Sequence, residues 1–289
     1  MFSIIGIVVV LGAVIGGFLL EKGNLHVLFQ PAEFMIIFGA AIGSLLIASP
    51  PRVLSAIIQN LPKVFAGKGL DKVDYMELLI LLYKIFQKMR KEGLIAIEAE
   101  VNEPEKSPLF TSSPIVLKNK KAVQFICDTI KMTLTSNTPA HELDTIMESE
   151  IEVLFKEGLI PSQSVNRIAD SLPGLGIVAA VLGVVLTMGK IDQPPAVLGH
   201  SIGAALVGTF LGVLACYGFV GPIAAKLEHI AHDEEAYLNV IRLAYVAYID
   251  GSAPQMAVEL GRRAIPFALR PGFEELQKSL KEATPKGEK

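Results

Sequence analysis

The chain has 289 residues, of which 51% are hydrophobic and 19% charged, with a mean hydropathy of +0.49. Soluble domains carry about 25% charge, so the apolar excess must be concentrated in particular segments. A formal net charge of −3 excludes the basic footprint of a nucleic-acid-binding domain.

Four apolar runs account for the excess. A bilayer core of about 30 Å needs about 20 apolar residues in a helix. The first run, Met1–Leu20, holds no charge before Glu21. It lacks a basic leader and a small-residue cleavage pattern, so it is expected to be a retained span. The second, Ala32–Ser49, has Glu33 at its edge and stops at Pro50-Pro51. The third covers Ser171–Gly189 and the fourth Ser201–Ala225. The expected fold is therefore all-α: a polytopic membrane protein with four transmembrane helices and a large helical segment between spans two and three. In chain order this gives four parts: residues 1–50 with two spans, 51–168 soluble, 169–226 with two spans, and 227–289 as a C-terminal helix and tail.

Orientation follows from Lys and Arg. Residues 50–170 hold 15 of the 26 and residues 226–289 hold 9, while the two short loops carry only Lys22 and Lys190. Positive charge is retained on the cytoplasmic side, so both termini and the middle segment are expected there. Cys127 and Cys216 lie far apart with no motif spacing, which points to reduced thiols.

Within the spans, Gly12/Gly16, Gly39/Gly43 and Gly208/Gly212 stand at the spacing that lets helix backbones approach. Spans three and four contain no ionisable side chain at depth apart from Tyr217. An ion crossing lipid requires a counter-charge, so any ion path here would take its carboxylate from another chain. Thr187 and Thr209 offer hydroxyls, although a Thr in a membrane helix more often bonds its own backbone. Pro173 and Pro222 either hinge spans three and four or mark helix ends.

In the middle segment, residues 74–101 read as an amphipathic helix with Met76, Leu79, Ile80, Leu82, Tyr83 and Phe86 on one face. Gly93 weakens that helix. Pro104, Pro108 and Pro114 mark an irregular connection, followed by helices at about 118–136 and 139–158. The last is acidic through Glu142, Asp144, Glu148, Glu150, Glu152 and Glu157. His229, His232 and Asp233 form an incomplete metal-ligand set. No phosphate-binding loop or nucleophilic triad appears, so no enzyme is expected.

Several stretches resemble the MotA family of flagellar stator subunits, within the MotA/TolQ/ExbB proton channel family. They are Pro173-Gly-Leu-Gly-Ile-Val-Ala-Ala-Val-Leu-Gly-Val-Val185, Val207-Gly-Thr-Phe-Leu-Gly-Val213 and Tyr217-Gly-Phe-Val-Gly-Pro222. Gln30-Pro-Ala-Glu33, Tyr75-Met-Glu-Leu-Leu79 and Arg270-Pro-Gly-Phe273 extend the likeness along the chain. The last departs from the family's proline-serine-phenylalanine tract.

The resemblance implies five copies around a dimer of a MotB-type B subunit that supplies the mid-membrane aspartate, in the bacterial inner membrane. It further implies torque applied to the rotor protein FliG. Pro173, Pro222 and Thr209 match the family's pathway and gating residues. Ala180 stands where sodium-driven relatives carry Thr, which implies protons as coupling ion and no cofactor. Arg90 and Glu98 match the family's rotor-contacting pair, with Glu150 on the same surface. They would share a helix face if the helix runs through Gly93. Two other readings stay open: an ExbB/TolQ-type subunit energising outer-membrane processes, whose relatives have three spans, and a non-conducting membrane scaffold. Residues 284–289 read as a disordered tail.

Overall fold

A computed structural model describes residues 2–66, 69–136 and 138–283, so the expected tail at 284–289 lies outside the described residues. Helices and turns make up the described chain, and no strand occurs among those residues. Four helical stretches are long and apolar enough to cross a membrane: Phe2–Leu20, Leu25–Ala48, Ala140–Met188 and Pro195–Ile249.

The contacts divide the chain into two compact units, each built from two separated segments. One contains residues 1–67 and 158–230; the other contains residues 68–157 and 231–289.

The first unit contains the four spans. Helix α1 (Phe2–Leu20) has no buried residue. After a one-turn helix, α2 (Leu25–Leu28), α3 (Pro31–Ala48) starts with proline in its first turn, where the missing N–H costs nothing. Helix α4 (Pro51–Ala66) is amphipathic. It buries Val53, Ile57 and Val64 against Val165, Ala224 and Leu227.

The second unit is organised around α5 (Lys72–Glu92). Asp71 and Asp74 form a reciprocal capping box at its start. It ends at Gly93, whose φ of 87° is open only to glycine at low cost. A 3-10 turn at Leu94–Ile97 and α6 (Glu98–Asn102) follow. Prolines open the short helices α7 (Pro108–Thr111) and α8 (Pro114–Lys118). The expected irregular connection is thus two proline-started turns of helix. Next is α9 (Lys120–Thr135).

Helix α10 (Ala140–Met188) is a single 49-residue element. The sequence suggested a separate helix ending near residue 158, but Pro161 and Pro173 both sit inside it. In a membrane bundle, neighbouring helices and hydroxyls re-satisfy carbonyls that proline leaves free. Helix α11 (Pro195–Leu214) passes through a π turn, Ala215–Val220, into α12 (Gly221–Ile249). Helix α13 (Pro254–Ala264), a 3-10 turn at Phe267–Leu269 and α14 (Phe273–Ala283) complete the chain.

The periodicity predicts an amphipathic 74–101 helix; the observed α5 is a central one. It buries Tyr75, Leu78, Leu79, Leu81, Leu82, Tyr83, Ile85, Phe86 and Met89, positions that run round most of its circumference. Its charges tie down neighbouring segments. Glu77 accepts the N–H groups of Ile115 (2.6 Å) and Val116 (3.3 Å), satisfying free donors at the start of α8. Lys88 pairs with Glu100 at 2.6 Å. Aromatic packing closes this core, with Phe86 stacked on Tyr248 at 4.6 Å.

Candidate functional site: the glycine seam of the membrane unit

Helices α10 and α11 meet backbone to backbone. A methyl group built on Gly176 would lie 2.7 Å from the Gly208 carbonyl oxygen. One built on Gly212 would lie 2.5 Å from the Leu172 oxygen and 2.9 Å from the Gly176 Cα. At Gly183 it would meet the Ala205 side chain at 2.6 Å. Only glycine permits this approach, and dispersion between the two backbones is what the approach gains in lipid. Gly208/Gly212 is therefore a packing pair within the chain. Methyl groups on Gly12, Gly16, Gly39 or Gly43 would meet nothing within 4 Å, so these two pairs are not used inside one copy.

Pro173 lies within α10, three residues before Gly176, and is half-buried. Its ring removes the N–H that would bond Ala169. Beside it the Ser171 hydroxyl donates to the Ile168 carbonyl at 2.7 Å, a back-bond that favours bending. Pro222 is exposed and directly follows the π turn. There the Gly221 N–H reaches the Cys216 carbonyl, five residues back, which widens the helix where proline could not donate. The two prolines are thus inside continuous helical stretches and do not mark helix ends. The buried Ser162 hydroxyl donates to the Ala224 carbonyl at 2.9 Å, joining α10 to α12 two residues past Pro222.

Thr187 follows the ordinary pattern, its hydroxyl bonded to the Gly183 carbonyl at 2.8 Å. Thr209 and Ala180 are half-buried beside the seam: the Ala180 N and the Thr209 Cα lie against the glycine positions 208 and 176 respectively. The seam therefore brings Ala180, Thr209 and the segment after Pro173 together.

The candidates in the second unit are not brought together by a shared helix. Arg90 is exposed near the end of α5, whereas Glu98 is exposed at the start of α6. The positive φ of Gly93 and the 3-10 turn separate them, so the condition for a shared face is not met. Glu150 is half-buried on α10. Elsewhere on the acidic stretch, Asp144 and Glu148 face Arg242 at 3.5 and 3.2 Å, so these charges are partly spent inside the unit.

Arg270-Pro-Gly-Phe273 acts as a strap. Arg262 donates to the Pro271 carbonyl at 2.9 Å, and Arg270 to the carbonyls of Ile265 and Arg263 at 3.0 and 2.8 Å. Among the described residues no group of three His, Cys, Asp or Glu side chains is placed to hold a metal ion. His232 lies against the Phe155 ring, 4.9 Å between centroids.

Residues 4–93 match the motility protein A N-terminal family, and residues 118–239 the MotA/TolQ/ExbB proton channel family. Motility protein A of Escherichia coli is 37% identical over 97% of this chain and 95% of its own length. The chain belongs to the motility protein A family. Chemotaxis protein LafT of Vibrio parahaemolyticus is 35% identical over 98% of this chain and 99% of its own. The fold also matches the flagellar MotAB stator complex from Bacillus subtilis, with a TM-score of 0.75 and 24% identity over 93% of this chain and 98% of that one. The C. jejuni MotAB structure gives a TM-score of 0.77 at 21% identity, over 94% of this chain and 98% of the other.

One residue of this motility protein A unit was missed as a site. Glu33 projects from the first turn of α3 and is buried. Its Oε2 lies 2.7 Å from where a methyl on Gly208 would stand. At a span edge it reads as an ordinary acid favouring a helix N-terminus. The signal available was that it is the one charged residue of its span, which by default marks a functional position.

Proposed function

We propose that this chain is the ion-conducting, torque-bearing subunit of a flagellar stator in the bacterial inner membrane, both termini cytoplasmic. It works with a MotB-type B subunit that supplies a mid-membrane aspartate, and protons are the coupling ion. The observation that carries this reading is the collinear likeness to motility protein A over 97% of the chain. The membrane unit supports it. Large apolar side chains on all four spans stay uncovered in one copy, among them Ile47, Leu186 and Leu206. The unused glycine pairs on α1 and α3 would seat further copies. Five copies around a B-subunit pair would cover these faces.

Ala180 offers no side-chain oxygen, as befits a proton path. A sodium path would need further oxygen ligands. In the proposed cycle Pro173 and the π turn before Pro222 are the flexible points, Thr209 lines the path, and Arg90, Glu98 and Glu150 meet the rotor protein FliG. Exposed charge pairs are worth under about 1 kcal/mol each, which suits contacts made and released repeatedly. One charge crossing 100 mV yields about 2.3 kcal/mol to drive the cycle. This function requires no catalytic chemistry of the chain.

The test is expression alone and with the B subunit, after removal of that subunit's plug, while cytoplasmic pH is followed. Acidification is expected only in the pair and is lost with Pro173→Ala. Sodium entry without acidification would reassign the ion. No flux of either kind from an assembled pair would leave a scaffold.

A further inference from the structure

Two carboxylates are buried among the described residues, Glu33 and Glu259. Glu259 is fully answered, with Arg262 at 2.7 Å and Arg263 at 3.2 Å. Glu33 is not. It is 8% exposed, and its Oε2 is buried without a hydrogen-bond partner among the described residues. The oxygen points into a notch whose walls are glycine. Gly208 of α11 lies against Oε2, and Gly183 of α10 faces Oε1 at 3.6 Å from its methyl position. A side chain at Gly208 would take the space that the carboxyl group occupies, while a methyl on Gly183 would just touch Oε1.

No Lys, Arg or His side chain of the described residues is hydrogen-bonded to Oε2. The titratable groups of the described residues at this end of the bundle are Glu21 and Lys22 after α1, His26 on α2, Lys190 and Asp192 after α10, and His200 on α11. All six are exposed. Arg167 and Asp170, far down α10, are exposed too, and Asp170 is held by Asn166 at 3.1 Å. The Thr187 hydroxyl is committed to its own backbone. Burying an unpaired charged carboxylate is costly, and binding a proton is what removes that cost. A structural filler, on the other hand, would be met more cheaply by an apolar side chain.

We propose that Glu33 is a proton-binding site carried by this chain itself, set in the glycine notch between α3, α10 and α11. The site deepens the stator reading and rests on it. A proton from water at the α10–α11 connection binds the carboxylate to give the neutral acid, and is released again when the seam moves and admits water or the partner's carboxylate. The carboxyl group is unchanged over the cycle. Each copy in a ring would then contribute an acid in addition to the one the B subunit brings.

Glu33→Gln keeps the shape and the neutral form but cannot bind or release the proton. In the unplugged pair, Glu33→Gln should retain its membrane level and its co-purification with the B subunit, while acidification slows at least tenfold. In the reconstituted wild-type pair, infrared difference spectra across a pH step should show the carbonyl stretch of a carboxylic acid that Glu33→Gln removes. Wild-type flux together with an unchanged infrared spectrum would overturn the proposal. So would loss of co-purification in Glu33→Gln, which would assign the carboxylate to an ion pair with another chain. If the assembled wild-type pair itself moves no protons, the stator reading fails, and the infrared band still decides whether Glu33 binds one.

Discussion

The two units solve the burial problem in opposite ways. The unit of residues 68–157 and 231–289 encloses Tyr75, Phe86, Phe110, Phe125, Tyr237 and Tyr245 in one core, and its buried Glu259 is matched by two arginines. The membrane unit has two small clusters, built largely from Ala, Val, Ile and Leu. Its helices approach most closely at glycines, and Oε2 of its buried Glu33 has no hydrogen-bond partner among the described residues. Water drives large side chains inward, but lipid gives no such push, so close approach takes its place. A unit that leaves apolar faces and an acid unanswered is built to be completed by other chains.

That contrast can be broken by substitution. The largest effect is expected from Gly212→Leu, because the new side chain would strike the Leu172 carbonyl and the Gly176 backbone. Overpacking against movable side chains commonly costs about 1–3 kcal/mol and occasionally more; backbone has no rotamer by which to yield, so here the cost should exceed that of emptying a core position. The protein should vanish from membranes, as an immunoblot would show. Gly39→Val faces open space in one copy; it should keep the membrane level yet lose assembly, seen by native mass. If both variants assemble normally, glycine packing is not what distinguishes the membrane unit.

The second unit should behave like an ordinary aromatic core. Phe86→Ala removes a fully buried ring stacked on Tyr248 and should cost about 3–5 kcal/mol. Limited proteolysis of the detergent-solubilised protein should then cut the second unit first.

Glu259→Gln leaves the half-buried Arg262, 12% exposed, without its charge partner, a loss of up to about 3 kcal/mol. The Arg262 hydrogen bond holds the Glu259 carboxyl below the ordinary range. The unfolded chain therefore binds this proton more readily than the folded one. The pair's contribution is complete above about pH 4.3 and is lost as pH falls through the lower folded value. Thermal unfolding of wild type and Glu259→Gln should converge on acidification.

The smallest stability effect is expected at Arg90→Ala, an exposed position where changes stay within about 0.5 kcal/mol. Its melting temperature should match wild type, while swimming falls if Arg90 meets the rotor. Slower swimming with a lowered melting temperature would make Arg90 a structural residue.

Span number, their approximate limits, the Gly208/Gly212 pair and the proline positions were legible because each depends on local composition or fixed spacing. Residues 139–158 and 171–189 could not be joined from sequence, since Pro161 and Pro173 argue for breaks and only the surrounding helices make them tolerable. Likewise α5 reads as half-exposed until the helices on its other side are known. The acidic stretch after Ala140 reads as solvated until Arg242, a hundred residues later, is brought against it.

Sequence alone determined that this chain lives in a membrane and which family it belongs to, because hydropathy and motif order need no contacts. Tertiary structure alone decided which glycines are used within a copy, that Gly93 parts Arg90 from Glu98 and that Oε2 of Glu33 is buried without a hydrogen-bond partner among the described residues. Each of those depends on what a second segment places within a few ångströms, and no local pattern records that distance.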